Sequence, residues 1–504
     1  RDLRMSRGLG DVYKRQNMEY IYETDEDILG LIYISCKNIG NRKATGSYYT
    51  STKVVKNLIS RLSFQEPVKV LDPCCGTGNF LLQLPDVLPF DSIYGNDIDA
   101  ASVKITRLNM ALKYNVPVAA IYEHITGQDY LTDYAEKDFQ YIIGNPPWGY
   151  DFSEEEQSHL RTIYKSATGK NIESYDVFIE QALNHLTDNG HLAYVLPEAI
   201  LNVKAHTNIR KTILENCSIK NLVFLGNAFD GVQCPCIILD LQCTRSPLST
   251  VGMNVNTGTA SFTINIERTV SAEYFSFTTS DAEYNVLCKI RSMPNSAYLL
   301  DNADFALGIV TGNNKEYISD IKNDNNEMIL KGADIRKYHT TRTNNYIVFK
   351  PENFQQAAPT EMYRSPEKLL YRFISSQLVF AYDDKQTLSL NSCNIVIPRL
   401  PGIKIKYVLA ILNSRIAQFI YKKEFNSVKV LRSHIENIPI PTADASTQAE
   451  IIALTDKLIS VLQADEAEKV YDELDLLVSK AFNLDSNEIE IINKAVEGDN
   501  KFLA

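Results

Sequence analysis

Several features are scarce in this chain, and each scarcity removes a class of protein. No apolar run approaches the roughly 20 residues needed to span a bilayer, and no signal-peptide pattern is present, so a cytoplasmic, prokaryotic location with no membrane partner is expected. The nine cysteines are odd in number and scattered, which argues against a disulfide framework. Cys234-Pro235-Cys236 is one residue too tight for a CxxC zinc half-site, and no second half-site or His pair follows it, so reduced thiols and no metal are expected. Internal repeats and low-complexity linkers are missing, which excludes solenoids and arrays. Positive charge is also short: 51 Lys and Arg face 62 Asp and Glu, a net charge of −11. A protein that grips phosphates usually carries a basic footprint.

That charge is unevenly placed. Residues 1–16 carry five Lys/Arg and two Asp. They have no apolar period and resemble a translated sequencing-adapter artefact, so a non-native leader and a start at Met18 are expected, with a genuine basic tail as the alternative. From Pro441 onward fourteen Asp/Glu face five Lys, which concentrates the acidity in a tail. Between them lie local basic clusters: Lys331, Arg336, Lys337 and Arg342, then Lys404 and Lys406, then Lys422, Lys423, Lys429 and Arg432. Net charge therefore weakens a nucleic-acid reading without excluding it.

At 504 residues, two or three domains are expected. Apolar positions at helical spacing predict helices over 19–36, Thr52–Leu62 and Tyr175–Leu186. Short apolar runs predict strands at Val68–Leu71, Ser92–Gly95, Ala119–Ile121, Tyr141–Gly144, His191–Leu196, Leu222–Leu225 and Cys236–Leu241. Such alternation predicts an open, mostly parallel α/β sheet with its site at the carboxyl ends of the strands. After about residue 245 Thr, Ser and Asn rise and the alternation is lost. A catalytic domain over 17–245, a second, mixed α+β domain over 246–440 with short strands near Tyr346–Phe349, Leu378–Tyr382 and Asn394–Ile397, and an acidic helical tail over 441–504 are expected.

Two motifs carry chemistry. Val70-Leu-Asp-Pro-Cys-Cys-Gly-Thr-Gly-Asn-Phe80 reads as a strand followed by a glycine turn, in which Gly76 and Gly78 allow a tight bend and close approach to a ligand. The third glycine of a dinucleotide fingerprint is missing, which argues against NAD. Asp97 ends the next strand, 25 residues after Asp72, a placement suited to ribose hydroxyls and hence to a nucleoside-containing cofactor. The second motif is Asn145-Pro146-Pro147-Trp148. Two prolines stiffen the backbone and remove two N–H donors, so a main-chain carbonyl and the Asn145 side-chain carbonyl form a pair of acceptors suited to an amino group. An aromatic amine such as that of adenine is a poor nucleophile because its lone pair is delocalised into the ring. Two acceptors on its hydrogens localise that pair. Trp148, the only tryptophan, offers a stacking face of about 1–3 kcal/mol per base.

Gly46-Ser-Tyr-Tyr-Thr50, Asp72-Pro-x-x-Gly-x-Gly-x-Phe80, Asp97, Asp129-Tyr130 and Asn145-Pro-Pro-Trp148 resemble, in order, the motifs of the gamma-class (TaqI-like) DNA N6-adenine methyltransferases of restriction–modification systems. The resemblance implies a Rossmann-like S-adenosylmethionine-dependent methyltransferase domain. It implies Thr50 and the glycine turn of Gly76 and Gly78 at the methionine end of S-adenosyl-L-methionine, Asp97 on the ribose and Asp129 with Tyr130 around the cofactor adenine, with Tyr48, Asp72 and Ile98 also among the cofactor-binding residues. Asn145, Pro146, Pro147 and Trp148 become the catalytic tetrapeptide, acting on the N6 of an adenine flipped out of duplex DNA. Leu225-Gly-Asn-Ala-Phe229 is similar to a segment that places an aromatic ring, here Phe229, against the target base. Leu307–Asn314, Lys331–Arg336, Leu409–Ser414 and Ile438–Pro441 resemble landmarks of the family's C-terminal target-recognition region. Trp148 departs from the pattern, since many members carry Tyr or Phe there, and all three are flat stacking surfaces. A separately encoded restriction endonuclease is the implied protein partner. Two other readings stay open at this point: a protein glutamine N5-methyltransferase, which shares Asn-Pro-Pro-Tyr but lacks a long second domain, and a non-catalytic or bifunctional restriction subunit.

Overall fold

A computed structural model describes residues 26–36, 49–64, 68–229, 233–425, 427–460 and 463–498. Leader residues 1–16, positions 19–25 of the first expected helix, and Tyr48 lie outside the described residues. The chain divides into two compact units, residues 1–278 and 279–504.

The first unit is built on one nine-stranded sheet: β1 Val70–Asp72, β2 Ile93–Asn96, β3 Ile125–Thr126, β4 Phe139–Gly144, β5 Leu186–Pro197, β6 Cys217–Gly226, β7 Cys236–Cys243, β8 Met253–Asn256 and β9 Ser261–Ile264. Their spatial order is β3-β2-β1-β4-β5-β7-β6-β8-β9. Strands β3, β2, β1, β4 and β5 run parallel, and β7 inserts antiparallel between β5 and β6. Val70, Leu71, Ile142, Ile143, Val195 and Leu222 are buried, the continuous apolar character of strands covered on both faces. Strand order reverses between β1 and β4. That is the switch point where open α/β sheets leave a crevice at their carboxyl ends, and both sequence motifs sit there.

Three expectations are corrected. Ala119–Ile121 is not a strand: it lies in the helix Val118–His124, which starts after Pro117, and the third strand is the two residues Ile125–Thr126 that follow. A proline at that position suits a helix start. The helix expected over Thr52–Leu62 stops at Ile59. The first unit runs past residue 245, because β8 pairs with β6 and β9 with β8, so the Asn- and Thr-rich stretch is still edge strand.

In the second unit, Ala303–Ala306, Cys393–Pro398, Lys368–Arg372 and Phe380–Asp383 form an antiparallel sheet in that order. Ile318–Ser319, Tyr346–Ile347, Glu327–Leu330 and Leu388–Ser389 form a mixed sheet in that order, its last pair parallel. The acidic tail is not a separate appendage. Helices Ala445–Ser460 and Ala464–Ala481 bury Ile451, Leu454, Leu458, Tyr471, Leu474 and Val478 in one core with Tyr407, Ile411 and Phe419. Lys337, grouped above with the basic clusters, is buried, donating from Nζ to the Asn413 carbonyl (3.0 Å) and Tyr471 hydroxyl (3.1 Å). Lys406, Lys423 and Arg432 are paired with Asp456, Glu283 and Glu436. The available basic surface is thinner than the count of residues suggests. Among the described residues no helix is long and apolar enough to cross a membrane, and no group of three His, Cys, Asp or Glu could hold a metal ion.

Candidate active site

A cavity of about 570 Å³ opens at the switch point, within the size range of small-molecule sites. Of the residues singled out from sequence, Thr50, Gly76, Asp97, Ile98, Asp129, Tyr130, Asn145 and Pro147 line it. Asp72, Gly78, Pro146, Trp148 and Phe229 do not.

The glycine turn follows β1 directly. Gly76 and Gly78 both have positive φ (53° and 93°), and a Cβ on Gly76 would meet no protein atom within 4 Å, so the turn presents bare backbone. Gly76 N–H donates to Asp97 Oδ2 (2.8 Å) and Asp99 N–H to Asp97 Oδ1 (2.8 Å), which orients the carboxylate that ends β2. Ile98 beside it is 70% exposed, an apolar face at the rim. Asp129 Oδ1 accepts from Leu131 N–H (2.9 Å), and the Tyr130 ring packs on Phe178 and edge-on to His185.

Asp72 lies beneath the floor. It is fully buried, accepts from Cys74 N–H (3.2 Å), and sits against Gly144, where a Cβ would come 2.6 Å from its Oδ1. Burial, with Asp97 adding repulsion, holds its carboxyl well above the usual carboxylate range. It is placed to lock the ends of β1 and β4 together. Burial also pushes the Cys74 and Cys75 thiols up, with Asp72 and Asp97 nearby, so neither is a thiolate nucleophile.

Asn145 leaves β4 with its side chain fixed. Its Nδ2 donates to Thr50 Oγ1 (3.0 Å), which directs Oδ1 the other way, and Oδ1 is buried without a hydrogen-bond partner. Tyr130 Oη and Asn79 Oδ1, in two other cavity-lining residues, are buried and unpartnered too. Unsatisfied buried polar atoms gathered on one cavity are the mark of a site that expects a polar ligand. Behind the cavity, Trp148 and Phe229 are both buried and meet edge-to-face, centroids 4.8 Å apart at 83°.

Several site residues escaped the sequence reading. Asn96 Oδ1 accepts from Gln128 N–H (3.0 Å) and Thr126 Oγ1 (2.9 Å), tying the loop that carries Asp129 to the end of β2. Asp27, buried at the start of the helix Ile28–Cys36, accepts from Gly30 N–H (2.8 Å), Asn109 Nδ2 (2.8 Å) and the Thr77 hydroxyl. That helix contributes Ile34 to the cavity, and Tyr150, Phe152 and Phe178 complete its apolar wall. Only the helical spacing of Ile28, Leu29 and Ile32 hinted at the first of these elements.

Residues 24–264 match the N-6 DNA methylase family, and residues 327–440 match the TaqI-like C-terminal specificity domain. The chain belongs to the TaqI-like DNA N6-adenine methyltransferases. Its curated relatives include the type II methyltransferase M.VspI of Vibrio sp. (strain 343), 29% identical over 321 residues, which are 62% of this chain and 76% of that one. The type II methyltransferase M.CvrRI of Paramecium bursaria Chlorella virus XZ-6E is 31% identical over 166 residues, 33% of this chain and 40% of the other. Among solved structures, the Type IIL restriction-modification enzyme MmeI in complex with DNA shares the fold at a TM-score of 0.56 and 13% identity, over 94% of this chain and 81% of that one. Membership makes this methyltransferase adenine-specific and DNA-directed, part of a restriction–modification system, and implies S-adenosylmethionine as the methyl donor. The glutamine-methyltransferase alternative finds no support. The specificity-domain match falls in the second unit, which such an enzyme lacks.

Proposed function

We propose that this methyltransferase binds S-adenosyl-L-methionine in the switch-point cavity and transfers its methyl group to the N6 of a flipped adenine through Asn145-Pro146-Pro147-Trp148. The observation that carries the assignment is Asn145: Thr50 holds its Nδ2, leaving a buried, unpartnered Oδ1 at the carboxyl end of β4. The residues present suit the cofactor. Bare backbone at Gly76, with Thr50, takes the methionine end; Asp97, oriented by two amides, takes the ribose; Ile98, Asp129 and Tyr130 take the adenine. When bound, S-adenosylmethionine supplies an electrophilic methyl on a sulfonium.

Asn145 Oδ1 and the Pro146 carbonyl accept the two N6 hydrogens of the target base and localise the nitrogen lone pair toward that methyl. The Pro147 carbonyl is already taken by the Ser174 hydroxyl (2.6 Å), which favours Pro146 as the second acceptor. Positioning supplies most of the acceleration. Trp148 and Phe229 stack on the base, and its entry requires these two touching rings to separate. Residues of the second unit, from 279 onward, with the TaqI-like region over 327–440, select the site on double-stranded DNA. The enzyme works in the cytoplasm, with a restriction endonuclease encoded separately. Asn145→Ala is expected to lower methylation about a hundred-fold or more while S-adenosylhomocysteine affinity stays near that of the parent. Full activity in that variant, correctly folded, would remove the mechanism. Expression in a methylation-free host followed by long-read mapping of modified bases identifies the target adenine.

A further inference from the structure

The tetrapeptide has a bracing problem. Pro146 and Pro147 have no N–H, so two of the amides that would ordinarily tie a loop down are missing. Asn145 is held from one side by Thr50. On the other side stands Ser174, the first residue of the helix Ser174–His185, which is completely buried. Its Oγ donates to the Pro147 carbonyl (2.6 Å) and accepts from Tyr150 N–H (3.3 Å). One hydroxyl therefore bridges both ends of the segment Pro147–Tyr150, with Trp148 between them.

The helix turn that presents Ser174 is itself anchored. Asp176 takes His206 Nδ1 at 2.9 and 3.0 Å, and the Tyr175 hydroxyl meets His206 Nε2 at 2.7 Å while the two rings stack. All three residues are buried. His206 closes the short turn Lys204–His206, and Arg210, one helical turn further on, binds the carbonyls of Ile200, Val203, Ala272 and Glu273. Ser174 is thus offered from an anchored turn, with its hydroxyl buried between the Pro147 carbonyl and the Tyr150 amide.

We propose that Ser174 is a positioning residue for methyl transfer, its hydroxyl fixing the Pro147–Tyr150 segment so that Trp148 and the Pro146 carbonyl hold their places. Ser174 touches neither cofactor nor base; it acts through the loop. The inference rests on the assignment of Asn145–Trp148 as the methyl-transfer centre.

Trp148 is the only tryptophan, so intrinsic tryptophan emission reports on this loop alone and needs no DNA. Ser174→Ala, in the full chain, is expected to slow single-turnover methylation about ten- to a hundred-fold, the cost of a loop displaced by up to about an ångström. Its Trp148 emission shifts to the red, and its S-adenosylhomocysteine affinity and Tm stay near the parent values. Ser174→Thr separates the hydroxyl from bulk, because it adds a methyl at a fully buried position but keeps the oxygen. If the hydroxyl matters, Ser174→Thr is faster than Ser174→Ala and its emission is closer to the parent. A Ser174→Ala enzyme at least as fast as Ser174→Thr, or one with unshifted Trp148 emission, overturns the proposal. Asn145→Ala, run alongside, keeps the two levels distinct: an active Asn145→Ala enzyme sinks the site itself, whereas an inactive one beside a fully active Ser174→Ala enzyme sinks only the role of Ser174.

Discussion

Replacing Gly30 by alanine sets two effects of opposite sign against each other. In an ordinary helix the change stabilises by about 1 kcal/mol, because alanine loses less backbone entropy. Here the new Cβ would stand 1.9 Å from Asp27 Oδ2 and 2.1 Å from Thr77 Oγ1, more than an ångström inside contact distance. Either Asp27 swings away or the helix Ile28–Cys36 lifts. A displaced Asp27 gives up its cap on the Gly30 amide, worth about 1 kcal/mol, together with its bonds to Thr77 and Asn109. Hydrogen bonds to a charged group contribute about 1.5–3 kcal/mol each, so the loss exceeds the propensity gain by about 2 kcal/mol or more. Lifting the helix is the cheaper escape, and it removes Ile34 from the cavity wall and loosens the glycine turn at Thr77. Two kilocalories per mole correspond to about thirty-fold in binding. Titration calorimetry should therefore show S-adenosylhomocysteine binding at least ten-fold weaker in Gly30→Ala than in the parent. Unchanged or tighter binding would mean that propensity outweighs the clash and that this helix does not close the cofactor site.

Three further outcomes follow from the same structure. Asp97→Asn presents an NH₂ to one of two amides that now donate to the carboxylate, so cofactor affinity should fall about ten-fold or more, checked by the same calorimetry, with parent-like affinity refuting the role. His185 is pushed down to about 4 by burial, with Lys137 adding to the shift; because the unfolded imidazole titrates near 6.5, the stability it contributes is complete above that pH and is lost as pH falls from 6.5 to 4, by up to about 3 kcal/mol. Urea unfolding at pH 7 and pH 5 should show about 2 kcal/mol of that loss in the parent and a flatter dependence in His185→Gln, and equal slopes would refute it. Lys368→Met leaves Asp383 buried without the ammonium 2.5 Å away, at a cost of about 3–5 kcal/mol, read as a lowered Tm, and Asp383→Leu added to it should recover part of the loss.

What could be read from the residues alone was what a short stretch of chain decides for itself. A glycine turn needs Gly76 and Gly78 next to each other, and the proline pair stiffens its own backbone, so both motifs were legible and fell at the ends of adjacent strands. The third strand was misplaced because two residues of ladder carry almost no pattern, while the apolar run before it belongs to a helix. The unit boundary was placed too early because edge strands β8 and β9 are rich in Asn and Thr, which read as a change of domain. The tail was expected as a segment of its own because acidic residues dominate it, although the apolar faces of its helices complete a core. Asp27 and Asn109, which lie 82 residues apart, could not be joined by any local rule.

What sequence missed is largely the contacts that hold the legible residues still, and there is a physical reason for the division. A loop that must point two acceptors at an amino group cannot spend those carbonyls on its own amides, and proline removes the temptation by removing the amides. The same substitution strips the loop of the bonds that would keep it rigid. Rigidity then has to come from side chains outside the motif: Thr50 on Asn145, Ser174 across Pro147 and Tyr150, and Asp72 packed on Gly144 at the strand end. These braces come from segments 24 to 95 residues from the groups they hold, and none has a distinctive residue type. The tetrapeptide is thus the visible half of the candidate site; Thr50 and Asp72 were legible only as cofactor-binding residues, Ser174 not at all, and their role as braces is recognisable only once the sheet has brought them together.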